Sequence, residues 1–564
     1  MIRRLLRKQK IKDANFFVEP DEIFLDSKNL ENFDRQQFEG RIEKPISKRS
    51  VIFLGIFFVA FSVLFGFRLG YLQIAKGEAY KSRSENNVLE KQILFADRGI
   101  IYDRNKVELA WNKKDENSVF PTRMYISPGF SHVLGYVSYP AQDSSGNFWK
   151  SEFIGLDGLE KEYNNIITGE NGSKIIETDA LKKIHSENIV NIPVRGNDLV
   201  TTVDSRVQGE LFTLIKNAAE NFSFSGGSGV IMNIGSGEVL TSTSYPEYNS
   251  EILSLGKDKN SIQNYLTDKR KVFLDRTISG LYTPGSIVKP FLALGALAEN
   301  IIDPYKKILS TGSISIPNPY DKTKETVFRD WRVNGWTDMR EALAVSSDVY
   351  FYTIGGGFED QKGLGILNIG KYAQLFGMDG KTGVDLPDEK QGTIPSPEWK
   401  LKNFANDPWR IGDTYHTAIG QYGFQVTPIE MVRAAASVAN GGTLVTPHFI
   451  LGDKNKELQV LPTNIQSEFF TVIQEGMREA VTAGTASSLN VPYVGVAVKT
   501  GTAQVGAAKN KVNSWVMGFL PYQNPKYAFV IMMESGPTTN SVSASSVMRQ
   551  LLDWMSINTP EYFQ

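Results

Sequence analysis

The sequence contains no cysteine and only four histidines among its 564 residues. The missing thiols exclude disulfides, cysteine-ligated zinc, iron–sulfur clusters and a cysteine nucleophile. His132, His185, His416 and His448 are scattered with no two at metal-ligand spacing, so the sequence predicts no metal site and no other cofactor. Any covalent chemistry must therefore use serine, threonine, lysine or a carboxylate.

A strong net charge is also missing, because 61 basic residues face 62 acidic ones. This balance gives no reason to expect a nucleic-acid partner. The chain is long enough for three or four folding units with a large core, and its 41% hydrophobic content is that of an ordinary globular protein.

Residues 51–67 (VIFLGIFFVAFSVLFGF) form a run of 17 residues without a charge. The run predicts one transmembrane helix over residues 51–74, in which Arg68 reaches back to the interface. A buried core helix and a cleaved signal peptide are the alternatives. Both are weaker, since the run begins 50 residues into the chain and no small-residue cleavage site follows it.

Basic residues close to this helix do not set its orientation, because residues 31–50 hold five and residues 68–87 hold four. Six more lie near the N-terminus: Arg3, Arg4, Arg7, Lys8, Lys10 and Lys12. Their excess predicts a single-pass protein of the cytoplasmic membrane, with residues 1–50 as a basic cytoplasmic tail and the remainder exported.

Two regions follow the membrane segment. Residues 75–195 combine short apolar runs with turn signals, which predicts a β-rich pedestal. Residues 196–564 begin with a helical pattern and a two-strand hairpin, and near the C-terminus three apolar runs precede a final helix. This second pattern predicts an α+β domain with an antiparallel sheet between helices.

The first motif that carries chemistry is Ser286-Ile-Val-Lys289. Residues at i and i+3 share one helical face, so a hydroxyl and an amine meet there if the segment is helical. Thr283 and Pro284 predict a helix start, which places Ser286 in the first turn, where backbone N–H groups lack partners. Pro290 predicts a distortion beside the serine.

Ser-x-x-Lys and one further short motif, Lys-Thr-Gly, each occur twice, and in each case one copy is favoured. A second Ser-x-x-Lys, Ser254 with Lys257, lies in a polar stretch and is interpreted as a solvated loop. Lys-Thr-Gly occurs at Lys381 in a turn-like segment and at Lys499, where it ends the alternating strand VGVAV. We expect only the Lys499 copy to face a cleft.

Between these motifs lies Ser346-Ser347-Asp348. By itself it is most simply an N-cap for a helix that starts at Val349. The order Ser286-x-x-Lys289, Ser346-x-Asp348, Lys499-Thr-Gly, however, matches the triple of serine acyltransferases.

The chain resembles the class B penicillin-binding proteins, and most of all their elongation-type members, the penicillin-binding protein 2 group. The runs that carry this resemblance are ADRGIIYDRN, HVLGYV, GLDGLEKEYN, LYTPGSIVKPF, TGVDLPDE and AIGQYGFQVTP. The resemblance implies a penicillin-recognising serine transpeptidase fold on the pedestal. There is no room for the glycosyltransferase domain of class A members.

The resemblance also implies a DD-transpeptidase that cross-links D-Ala-D-Ala stem peptides of peptidoglycan and is acylated by β-lactams. Ser286 would be the nucleophile, Lys289 its base, Ser346 a proton relay, Asp348 an orienting group and Lys499 a cation for the terminal carboxylate. Substrate binding would fall to Thr500, Gly501 and Thr502. A membrane-embedded glycosyltransferase of the SEDS family is the implied partner, along with other elongation or division proteins.

Two features depart from the family pattern. Asp348 stands where Asn is usual, and its carboxylate favours a protonated Lys289. The stretch between Asn105 and Gly129 is short, so the head of the pedestal is reduced. The alternative functions are a β-lactamase or carboxypeptidase, an acylable penicillin sensor, and an inactive scaffold of the wall-building machinery.

Overall fold

The structure, a computed structural model, describes residues 47–86, 89–114, 118–178, 184–318, 321, 323–452, 458–506, 508 and 510–564. They belong to two compact units that divide between Leu89 and Glu90. The predicted basic tail lies outside the described residues, apart from residues 47–50.

The first unit contains one long apolar helix. Its elements are α1 (Lys48–Gly70), a π-helical turn (Tyr71–Ala75) and α2 (Gly77–Asn86). Ser47 caps α1, since its side chain accepts a hydrogen bond of 3.1 Å from the Ser50 N–H. The continuous span Lys48–Ala75 has 28 residues, which at about 1.5 Å per residue exceeds the roughly 30 Å of a bilayer core. By length and composition it matches the predicted membrane segment.

The second unit starts with a β-rich region, as predicted. The elements are β1 (Leu89–Leu94), β2 (Ile101–Tyr102), β3 (Glu108–Lys113), β4 (Thr122–Tyr125), α3 (Ser131–Leu134), β5 (Val137–Ser138), β6 (Ala141–Gln142), β7 (Phe148–Lys150), β8 (Ile154–Gly155), α4 (Gly158–Glu162), α5 (Asn164–Ile167), β9 (Gly172–Thr178), β10 (Ile184–Asn191) and β11 (Leu199–Val200). The strands form a sheet of order β1-β9-β10, a sheet of order β11-β2-β3-β4 and two small antiparallel pairs, β5-β8 and β6-β7.

A buried charge cluster holds this region together. The Glu160 carboxylate accepts hydrogen bonds from Arg98 Nε at 2.5 Å and from Arg123 Nε at 2.8 Å. Burial opposes the charged form of Glu160, yet the two guanidinium groups keep the pKa of its carboxyl below the usual value. Two of the sequence runs that carry the family resemblance, those around Arg98 and Glu160, therefore meet in space.

The rest of the second unit is an α+β domain. Its elements are α6 (Ser205–Asn221), β12 (Gly226–Asn233), β13 (Val239–Tyr245), α7 (Ser250–Leu255), α8 (Lys259–Thr267), a 3-10 turn (Gly285–Val288), α9 (Lys289–Ala298), β14 (Ile308–Ser310), β15 (Ser313–Pro317), β16 (Glu325–Arg329), β17 (Gly335–Thr337), α10 (Met339–Ala344), α11 (Asp348–Gly356), α12 (Gly365–Leu375), α13 (Pro397–Asn403), α14 (Ile411–Ala418), α15 (Pro428–Ala439), β18 (Thr443–Leu444), β19 (Gln459–Val460), α16 (Ser467–Thr482), a 3-10 turn (Ser487–Leu489), β20 (Ala497–Val505), β21 (Lys511–Leu520), β22 (Tyr527–Pro537), α17 (Ala544–Asn558) and a 3-10 turn (Pro560–Phe563).

A five-stranded antiparallel sheet of order β13-β12-β22-β21-β20 forms the centre of this domain. Side chains alternate between its two faces, as the pleat of a strand requires. Along β22, Phe529 and Ile531 pack with α6 and α17, whereas Val530 and Met532 pack with α15. The predicted sandwich of helices around a sheet is therefore confirmed.

One strand differs from its predicted bounds. The sequence places the end of a strand at Lys499, but β20 begins at Ala497 and continues to Val505. Every residue of β20 is paired with β21, from Ala497 opposite Phe519 to Val505 opposite Lys511. This pairing carries the strand through Gly501, so Lys499 lies within it and not at its end.

Candidate active site

Ser286 lies in the 3-10 turn Gly285–Val288, directly before α9. The prediction that Thr283 caps an α-helix here is wrong, because Gly285 has a left-handed φ of +58° and interrupts the helical path. The Gly285 N–H donates to Gly420 O at 3.0 Å. Pro290 follows at the start of α9, where its missing N–H costs nothing. The predicted distortion beside the serine is present as this 3-10 turn.

Strand β20 packs closely against the turn that carries Ser286. A Cβ atom on Gly501 would lie 2.9 Å from Ile287 Cγ2 and 2.9 Å from Pro284 O. Only glycine allows the strand to come this near. This close approach brings the Lys-Thr-Gly motif beside Ser286, although about two hundred residues separate them along the chain.

Lys289 is completely buried and is paired with a carboxylate. Its Nζ donates to Asp348 Oδ1 at 2.6 Å and to Ser346 O at 3.0 Å, and a longer contact of 3.5 Å reaches Ser346 Oγ. The ammonium also lies 5.2 Å from the centre of the Phe351 ring, within the range of a cation–π interaction. The ion pair and these contacts compensate for the loss of water around the charge.

Lys499 reaches the same serine from β20. Its Nζ donates to Ser346 Oγ at 2.7 Å and to Thr500 O at 3.0 Å. Burial lowers the pKa of Lys499 well below its usual value, and the nearby charge of Lys289 lowers it further, while Asp348 acts in the opposite direction. Ser346 Oγ therefore lies between two amines, those of Lys289 and Lys499.

Ser346 has a backbone conformation that is rare for serine. Its φ is +58°, in the left-handed region, at a cost of about 1–3 kcal/mol for a residue other than glycine. It links α10 to α11, and the neighbouring Ser347 caps α11 by accepting a hydrogen bond from Tyr350 N at 3.3 Å. Ser347 is therefore the residue that caps this helix, and the hydroxyl of Ser346 contacts the two lysines instead.

Sequence reasoning missed Asp330, which fixes the start of α11. Asp330 Oδ2 accepts hydrogen bonds from Ser347 Oγ at 2.8 Å and from Val349 N at 3.0 Å. Nothing in the sequence points to this role, because Asp330 belongs to no motif and precedes Ser347 by a stretch that contains β17 and α10. Only the tertiary contacts connect them.

The three predicted substrate-binding residues lie in β20, at one edge of the central sheet. Strand alternation puts Gly501 on the same side as Lys499, and Thr500 and Thr502 on the opposite side. Thr500 Oγ1 shares a hydrogen bond of 2.8 Å with Thr485 Oγ1, and Thr502 is exposed. Their role in binding substrate stays a prediction.

The second copies of the motifs lie in other settings. The prediction of a solvated loop at Ser254 is wrong, because this residue is buried in the short helix α7 and its Oγ accepts a hydrogen bond from Val137 N at 3.1 Å. Lys381 is exposed. Beside it, both N–H and Oγ1 of Thr382 donate to Glu389 Oε1 at 2.6 Å, which fixes a turn.

In the described part of the chain, no group of three or more histidine, aspartate or glutamate side chains is arranged to hold a metal ion. His132 Nε2 lies 3.0 Å from Val272 O, and His448 Nδ1 lies 3.1 Å from Thr446 O. His416 packs against the ring of Phe328. These three histidines therefore lie in separate settings.

Comparison with known protein families gives two matches. The family model described as the penicillin binding protein transpeptidase domain matches residues 227–553. The model described as the penicillin-binding protein dimerisation domain matches residues 116–201.

Similar proteins are found both among curated sequences and among solved structures. The peptidoglycan D,D-transpeptidase MrdA of Acinetobacter baumannii is 28% identical over 616 residues, with 91% of this chain and 88% of that protein covered. MrdA of Escherichia coli K12 is 26% identical, with 90% and 94% covered. The complex between PBP2 and MreC from Helicobacter pylori superposes with a TM-score of 0.69 at 28% identity, covering 84% of this chain and 99% of that chain. Pseudomonas aeruginosa PBP2 in complex with WCK 5153 gives a TM-score of 0.67 at 28% identity, with 83% and 97% covered.

Proposed function

The chain belongs to the penicillin-binding protein transpeptidase family, and on this basis we propose that it is a peptidoglycan D,D-transpeptidase with Ser286 as its nucleophile. The observation that supports these roles is the convergence of the three motifs. Lys289 Nζ lies 2.6 Å from Asp348, and Lys499 Nζ lies 2.7 Å from Ser346 Oγ. The relatives named MrdA carry the same activity in their names.

In the first half of the reaction, Ser286 Oγ attacks the carbonyl between the two D-alanines of a stem peptide. The Ser286 proton passes to Lys289, and the C–N bond to the terminal D-alanine breaks to leave an acyl-enzyme. Ser346, which contacts both lysines, passes a proton to the departing amine and takes the proton of Lys289 in exchange. Because Lys289 is paired with Asp348, it must first release a proton, and Lys499 with its lowered pKa is the nearest acceptor through Ser346.

In the second half, the amine of another stem peptide attacks the acyl-enzyme, the C–O bond to Ser286 breaks, and a proton from that amine returns to Ser286 Oγ by way of Lys289. The backbone N–H groups of Ser286 and Thr502 stabilise the oxyanion in both halves. The terminal carboxylate of the substrate binds near Lys499, with hydrogen bonds from Thr500 and Thr502. This carboxylate favours the charged form of Lys499, so substrate binding is coupled to uptake of a proton at that amine.

We propose the following roles for the remaining parts of the chain. Residues 1–50 form the cytoplasmic tail, residues 51–74 the membrane anchor, residues 75–195 the pedestal and residues 196–564 the exported transpeptidase domain. We place a SEDS-family glycosyltransferase beside the anchor. Since the Helicobacter pylori PBP2 was solved in a complex with MreC, a protein of that kind is the partner we propose for the pedestal.

Labelling with a fluorescent penicillin tests the nucleophile. Ser286→Ala should abolish the label and leave thermal unfolding unchanged, whereas the matched variant Ser254→Ala, in the other Ser-x-x-Lys, should label normally. A label that persists in Ser286→Ala would refute the assignment.

Product analysis separates the alternatives. A transpeptidase forms cross-linked dimers from peptidoglycan strands, a carboxypeptidase only releases D-alanine, and a sensor or scaffold does neither. Release of the penicillin label within seconds would instead indicate a β-lactamase.

A further inference from the structure

The loop of residues 330–334 lies against the segment that carries Ser346 and Asp348. Asp330 Oδ2 binds Ser347 Oγ at 2.8 Å. Trp331 Nε1 donates to the carbonyl of Val345 at 3.2 Å. The loop is therefore attached on both sides of Ser346, at the immediate border of the proposed active site.

This loop holds a cation in a fixed position. The Arg332 guanidinium carbon lies 4.4 Å from the centre of the Trp331 ring, a cation–π distance. Arg332 Nε donates to Asn334 Oδ1 at 2.9 Å, and Asn334 Nδ2 donates to Asp330 Oδ2 at 3.1 Å. Both Arg332 and Trp331 are exposed, so the cation is anchored at the surface without being buried.

The outer edge of this guanidinium remains available. Among the described residues no carboxylate pairs with Arg332, although the carboxylate of Asp330 is held nearby by Asn334 and Ser347. A guanidinium whose Nε is engaged and whose face is stacked still presents its two terminal nitrogens. That fork matches the two oxygens of a carboxylate.

We propose that Arg332, held by Trp331 and Asn334, binds a carboxylate of the stem peptide other than the terminal one. The proposal rests on the proposed function, which brings an acidic peptide to this border. Lys499 already accounts for the terminal carboxylate, so a second cation on the loop that contacts Val345 and Ser347 fits an acidic residue further along the same peptide. Because one face of Trp331 is covered by Arg332, the indole positions the cation and leaves substrate contact to the guanidinium.

The test uses the full chain in detergent and two synthetic stem peptides. The peptides differ only in the acidic residue, which carries a free carboxylate in one and an amide in the other. Release of D-alanine gives KM and kcat for the unchanged enzyme, for Arg332→Gln and for the control Arg329→Gln, an exposed arginine three residues earlier. The rate of penicillin acylation and the Tm are measured for all three proteins.

Arg332→Gln should raise KM for the free-acid peptide about tenfold, the loss expected for one charge-assisted hydrogen-bonded contact. It should leave kcat, penicillin acylation and turnover of the amidated peptide unchanged, and Arg329→Gln should alter none of these quantities. An equal rise in KM for both peptides, or no rise for either, would overturn the role of Arg332 but would leave the proposed function standing. An unchanged enzyme that neither releases D-alanine nor reacts with penicillin would overturn the proposed function, and this proposal with it.

Discussion

Removal of the Asp348 carboxylate tests how the buried charge of Lys289 is stabilised. Lys289 has no exposed side-chain surface, Asp348 is 18% exposed, and the two charged atoms lie 2.6 Å apart. In Asp348→Ala, Lys289 Nζ keeps the Ser346 carbonyl at 3.0 Å and the Phe351 ring but loses its counter-charge. Removing one partner of a buried ion pair lowers the free energy of unfolding by about 3–5 kcal/mol. Because Lys289 keeps two of its contacts, we expect a loss of about 3 kcal/mol.

Asp348→Asn is the informative companion. The amide oxygen still accepts the hydrogen bond from Lys289, so only the charge is lost and we expect a cost of about 1 kcal/mol. At about 2 °C for each kcal/mol in a domain of this size, Tm should fall by about 6 °C in Asp348→Ala and by about 2 °C in Asp348→Asn. Asp360→Ala, at an exposed aspartate, should leave Tm unchanged.

Thermal unfolding in detergent gives the Tm values, and fluorescent penicillin reports the acylation rate of each variant. Asp348→Asn should still be acylated, because it restores the side chain usual at this position in the family. Equal Tm values for the alanine and asparagine variants would show that the amide hydrogen bond contributes nothing and that the whole loss comes from the charge, contrary to the expected difference. Complete loss of acylation in Asp348→Asn would show that the carboxylate itself is required, contrary to an orienting role.

Two further predictions concern the lysines of the Lys-Thr-Gly copies. Lys381→Ala should be acylated by penicillin at nearly the normal rate and Lys499→Ala should not; equal effects would undo the choice between the copies. The second prediction uses the lowered pKa of Lys499. An unfolded lysine titrates near 10.4, so the stability that this amine contributes is present above about that pH and is lost as the pH falls through the folded pKa. The Tm of the unchanged protein minus the Tm of Lys499→Met should therefore increase between about pH 7.5 and about pH 10. A constant difference would contradict this prediction.

Much of the fold was accessible from patterns in the sequence. The apolar run of residues 51–67 predicted the long helix, and the alternation in the C-terminal runs predicted strands with two packed faces. The helical pattern predicted at the start of residues 196–564 corresponds to α6 (Ser205–Asn221) with Asp204 as its cap. These elements are local, because residues a few positions apart create each pattern.

The errors have a non-local origin. Ser254 was interpreted as solvated because its neighbours in sequence are polar, yet Val137 from the pedestal covers it. The end of β20 was placed at Lys499, although pairing with β21 extends it to Val505. Arg332 and Asp330 escaped notice because no spacing joins them to Ser346. In each case the deciding contact comes from a distant part of the chain.

The sequence by itself determined the class of chemistry. Without cysteine and without paired histidines, covalent chemistry was limited to serine, threonine, lysine or a carboxylate, and the three ordered motifs contained Ser286, Lys289, Ser346, Asp348 and Lys499. Only the tertiary structure decided how charge is distributed among them. It pairs Lys289 with Asp348 and buries Lys499 beside that charge, and the protonation of an amine depends on burial and on neighbouring charges, which no linear motif specifies.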